Sequence, residues 1–69
     1  MYTIIKIDQN TGQALWLRKF TCDSLWFSDY PPKDGVLIDN EHDAKMTIFA
    51  ICENHMGNEG LLFVIQVSI

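Results

Sequence analysis

Basic residues are scarce in this sequence: five Lys and Arg stand against nine Asp and Glu in 69 residues, a formal net charge of -4. Contact with nucleic-acid phosphates needs clustered Lys and Arg to release counterions, so direct nucleic-acid binding is not expected. Long apolar runs are missing too. No stretch approaches the ~18 apolar residues of a membrane helix, and the first residues lack the basic and apolar regions of a secretory signal. The expectation is a cytoplasmic protein with no membrane partner. Two cysteines, Cys22 and Cys52, are too few for the disulfide framework of a secreted domain this small. They read as buried free thiols, with a single bridge between them left open. The four glycines, Gly12, Gly35, Gly57 and Gly60, are isolated turn residues, so no phosphate-cradling loop exists. No serine sits in a nucleophile elbow.

What is present suffices for one small domain spanning residues 1–69, since 48% of the residues are hydrophobic. The length is too short for a doubly wound sheet, a barrel enzyme or two cores. Residues 1–8 alternate, with Thr3, Ile5 and Ile7 on one side and Tyr2, Ile4, Lys6 and Asp8 on the other, which predicts a strand with one buried face. Asn10, Thr11 and Gly12 mark a hairpin loop. Residues 14–20 form the return strand, with Leu15 and Leu17 expected to pair with Ile5 and Ile7 over the core, and Trp16, Arg18 and Phe20 facing away. Residues 21–35 read as a long loop with a short extended piece at 25–28. Residues 36–38 suggest a short edge strand feeding a helix.

Asn40 is a candidate N-cap, with Asp43 at the capping-box position, and Glu41 and Asp43 suit the positive end of the helix dipole. The helix is expected to run to about Met56, with Gly57 as its stop. Steps of ~100° put Ala44, Ile48, Ile51 and His55 in one stripe with Cys52 beside it, facing the sheet. Residues 61–69 are apolar on both faces, which reads as an interior strand that also supplies Val64 or Ile65 and Val67 to the core. The expected fold class is α+β: a small antiparallel or mixed β-sheet, in the order β-β-(β)-α-β, with one α-helix packed on one face.

Few constellations carry chemistry. Cys22, His42, Cys52 and His55 are zinc-type ligands, but His42 and Cys52 on one helix would be ~15 Å apart along its axis, too far to share an ion. Cys22, Cys52 and His55 remain as the weaker metal alternative, and otherwise neither a metal nor a cofactor is implied. Acidic residues flanking a helix start are usually caps, so no catalytic residue is assigned and the reading is non-enzymatic. Tyr2, Lys6, Trp16 and Arg18, if on one hairpin face, would make a stacking platform, a reading that the net acidity opposes.

The loop is more telling. Trp26, Phe27 and Tyr30 concentrate large rigid groups in a segment expected to be exposed, and Trp and Tyr are enriched in binding hot spots. Asp29, Asp34, Asp39 and Asp43 supply an acidic rim around them, suited to a basic partner. Met46 and Phe49 fall outside the sheet-facing stripe, and with Trp16 they form a candidate self-association surface for a homodimer.

The order of "MYTIIKID", "ALWLRKF", "WFSD", "VLIDNEHDA" and "LLFVIQVSI" resembles the layout of small α+β accessory and host-inhibitor proteins encoded by bacteriophages. In that layout an acidic or Asn cap and a following Ala open the single helix, and Asn40, Asp43 and Ala44 match it. The resemblance covers most of the chain and transfers no site residues. It implies a host-directed binding protein that inhibits or modulates a bacterial enzyme, such as nucleic-acid-processing machinery. The alternative is a homodimeric accessory protein without a host target.

Overall fold

The hairpin predicted at the start of the chain is formed by β1 (Tyr2–Ile7) and β2 (Ala14–Phe20) in the computed structural model, which describes residues 1–29 and 35–68. Polar groups shape the link between the two strands. The Asn10 N–H donates to Asp8 Oδ1 at 2.8 Å, the Gly12 N–H donates to the Asp8 carbonyl at 2.7 Å, and Gly12 takes the left-handed φ of 73° that glycine tolerates best. This turn sets Ile5 opposite Trp16 and Ile7 opposite Ala14. Residues directly opposite share a face, so Leu15 and Leu17 lie with Ile4 and Lys6.

The expected pairing of Leu15 and Leu17 with Ile5 and Ile7 is therefore corrected. Ile4, not Ile5, is fully buried, in a core with Leu17, Ile51 and Leu62. A second correction concerns Phe20. The pairing of β2 with β3 (Leu25–Ser28) shifts between Leu17 and Lys19, which makes Arg18 the additional residue of a β-bulge. Alternation restarts beyond the bulge. Phe20, opposite Leu25, then packs with Leu25 and Phe27 against the core.

The extended piece expected at 25–28 is thus a strand, and β4 (Leu62–Gln66) completes an antiparallel sheet in the order β3-β2-β1-β4. The expected interior position of the last strand is corrected: β4 is an edge strand with Phe63 48% exposed. Residues 36–38 make no strand of their own. They lie beside the start of β1, where Tyr2 and Ile38 exchange two backbone hydrogen bonds of 2.8 Å. The Val36 N–H donates to the Leu17 carbonyl at 3.1 Å, and the hydroxyl of fully buried Thr3 donates to the Val36 carbonyl at 2.6 Å.

This segment delivers the chain to helix α1 (Glu41–Asn54). The cap is the one expected: Asn40 Oδ1 accepts from the Asp43 N–H at 2.8 Å, and the Asn40 side-chain amide donates to Asp43 Oδ2 at 3.0 Å. Ala44 and Ile51 are buried, and Ile48 and Cys52 pack against the core, as the stripe requires. The helix ends before Met56 because His55 turns extended, its ring edge-on to Phe20 and its Nε2 2.8 Å from the Thr21 carbonyl oxygen.

The inverted face of β1 makes a direct test. Ile4→Ala is expected to cost about 2–5 kcal/mol in urea unfolding, and Ile5→Ala clearly less. Equal losses would contradict the observed register. Asn40→Ala should cost about 1 kcal/mol through loss of the cap.

Candidate protein-binding face

Helix α1 packs against β1 and β4 on the Ile4 side, and among the described residues no helix or strand covers the other side of the sheet. The β1 register places a lateral row on that uncovered side. Phe63 of β4 lies opposite Ile5, Ile5 lies opposite Trp16, and Trp16 lies opposite Ser28 of β3. Half-buried Ile65 stands opposite Thr3, whose full burial and hydrogen bond to the Val36 carbonyl close this end of the face. Trp26 shares this face because Phe27, its neighbour, turns to the core, and Trp26 is 62% exposed. Arg18 Nε donates to Ser28 Oγ at 2.5 Å, bringing a guanidinium to the same side.

Two tryptophans and a phenylalanine on one face of the sheet have few rotatable bonds to immobilise and much apolar area to bury. A groove lies elsewhere. It encloses about 370 Å³ near the hairpin loop and is lined by Lys6, Asp8, Leu15, Phe27, Gly57 and Leu61 among others. Lys6 crosses it with its ammonium 5.7 Å from the centre of the Phe27 ring, a cation-π contact.

The structure divides the residues singled out from sequence. Trp26 is exposed, whereas Phe27 is half-buried on the opposite face of β3, so the two do not act as adjacent anchors. Tyr30 and Asp34 lie outside the described residues. Asp29 is exposed just beyond β3, while Asp39 and Asp43 are exposed at the start of α1, where Asp43 is engaged with Asn40. Met46 and Phe49 are 51% and 64% exposed on the outward side of α1. Trp16 lies across the sheet from them, so a single flat contact does not cover all three. Tyr2 and Lys6 are likewise on the other face from Trp16, which divides the stacking platform.

Cys22 is an exposed free thiol in the β2–β3 turn, not a buried one, and Cys52 is a half-buried free thiol on α1. No group of three or more His, Cys, Asp or Glu among the described residues is placed to hold a metal ion, so Cys22, Cys52 and His55 do not assemble the metal alternative. Reading the sequence missed the contribution of Ile5, Phe63 and Ile65 to the uncovered face. Their signal was available in principle, because β1 and β4 are apolar on both sides and only one helix exists to cover them.

No family model, curated protein or solved structure matches this chain. Among the described residues, no helix is long and apolar enough to cross a membrane.

Two solution measurements check the placement. With Trp16 replaced by Phe, the fluorescence of Trp26 should be readily quenched by acrylamide. With Trp26 replaced by Phe, Trp16 should be quenched less. Cys22 should react with a thiol reagent well before Cys52, and equal rates would contradict the assigned burial.

Proposed function

We propose that this protein is a non-enzymatic protein-binding module that engages its partner through the helix-free face of the sheet. The observation that carries the reading is Trp26, 62% exposed in β3 on the side that also holds Trp16, Ile5 and Phe63. A tryptophan held by a sheet loses little freedom on binding, and its burial supplies affinity by desolvation. The layout resemblance to bacteriophage accessory proteins supports a host bacterial enzyme as the partner, with inhibition or modulation as the outcome. Asp29, at the end of the strand that carries Trp26, and Asp39 are acidic groups that favour encounter with a basic surface, such as that of nucleic-acid-processing machinery.

The test is capture from bacterial lysate with the intact protein, identification by mass spectrometry, and kinetics with the purified partner. Trp26→Ala should raise the off-rate by roughly tenfold or more, the range of a hot-spot truncation. Neutralising Asp29 and Asp39 should instead lower the on-rate and flatten its salt dependence. Phe49→Ala, on the far side of the molecule, should change neither. Unchanged kinetics in both Trp16→Ala and Trp26→Ala would refute the reading.

A further inference from the structure

Strand β4 uses one side of its backbone and leaves the other open. The Ile7 N–H donates to the Leu61 carbonyl at 3.0 Å and the Val67 N–H to the Met1 carbonyl at 2.9 Å, so Leu61, Phe63, Ile65 and Val67 turn their backbone groups toward β1. Leu62, Val64 and Gln66 turn theirs outward. Among the described residues, these outward groups have no hydrogen-bond partner.

Edge strands are ordinarily blunted by charge, proline, a bulge or shortness. The other edge is the shorter one: β3 has 4 residues, and its pairing with β2 shifts at Arg18. β4 reads Leu-Phe-Val-Ile-Gln without charge or proline, pairs with β1 in unbroken register, and belongs to a stretch with no charged residue from Gly60 onward.

We propose that β4 is the seat of a homodimer, in which a second copy of this chain adds its own β4 antiparallel about a two-fold axis through Val64. This reading does not rest on the partner assigned to the helix-free face, although it draws Phe63 and Ile65 of that face into the seam. In this register Val64 faces the partner's Val64, and Leu62 faces the partner's Gln66. Outward groups meet outward groups at every pair, forming about six new backbone hydrogen bonds. Pairing even with odd positions makes none of them, and centring elsewhere shortens the overlap. On the helix-free side, Phe63 comes opposite the partner's Ile65 twice over, burying side chains that are now exposed or half-exposed. No like charges face each other along the seam.

A second copy is favoured over a foreign strand because one isologous contact satisfies both open edges together. Both β4 edges are then used, and the edges left are the 4-residue β3 strands. The product is a continuous eight-stranded sheet.

Hydrogen exchange on the full chain, with sedimentation equilibrium alongside, tests this. Raising the concentration from roughly 10 µM to roughly 1 mM should convert monomer to dimer and slow exchange of the Leu62, Val64 and Gln66 amides about tenfold or more, by mass action. The Phe63 and Ile65 amides, bonded to β1, should be protected throughout, and they report that the fold is intact. A charge pair checks the register. Phe63→Lys with Ile65→Lys should abolish dimerisation, because lysines then face lysines across the axis. Phe63→Lys with Ile65→Glu should restore it. A monomer at every concentration overturns the proposal. So does a dimer whose Leu62, Val64 and Gln66 amides stay unprotected, a dimer indifferent to the double lysine variant, or protection that arises only with a different protein.

Discussion

The short link at residues 9–12 commits Ile7 to Ala14 and thereby commits every even-numbered side chain of β1 to the face of Leu15 and Leu17. Side-chain direction in a strand has a period of two, so a slip of one residue would put Ile5 under the helix and Ile4 on the outside. Asp8, Asn10 and Gly12 hold the register locally. Ile51 then finds Ile4, Leu17 and Leu62 on one surface, and the helix has a single place to sit. The identity of the uncovered face follows from the same constraint, since Ile5, Trp16 and Phe63 are the residues left over.

The parts of the fold legible in the sequence are those fixed by near neighbours. Asn40 and Asp43 form a cap within one turn of chain, and the stripe of Ala44, Ile48 and Ile51 depends only on helical geometry. The hairpin and the short extended piece at Leu25–Ser28 were also readable, because turn residues bracket them. The faces of β1 were not. Ile4 and Ile5 are adjacent and equally apolar, so alternation alone does not choose between them, and the choice comes from a register set in the turn. Phe20 was misplaced for a related reason. A bulge at Arg18 reverses the alternation, and no residue type in that stretch announces it. The edge position of β4 was hidden because apolar residues on both faces describe equally an interior strand and an edge strand whose outer face is a contact surface.

The candidate face was legible only in part. Trp26 was singled out for its chemistry, and the structure does expose it. Phe27 was grouped with it because the two are neighbours in sequence, which in a strand means opposite sides. A helix of 14 residues is about 21 Å long and has one packing stripe, so it shields only one face of four strands. The apolar row on the remaining face is therefore a three-dimensional property: Phe63, Ile5 and Trp16 come from three strands and become neighbours only through two registers.

The placement of β1 between β2 and β4 also orders events during folding. Its first side can be satisfied by a local hairpin, but its second must wait for a strand that arrives after nearly the whole sequence has passed, Tyr2 pairing with Gln66. Closing so long a loop is entropically unfavourable before it is rewarded by contacts, which places chains of this topology among the slower small folders. During synthesis, the apolar flank of β1 stays open until β4 is made. The groups left open in that interval are the backbone donors and acceptors of Thr3, Ile5 and Ile7, which only β4 can pair.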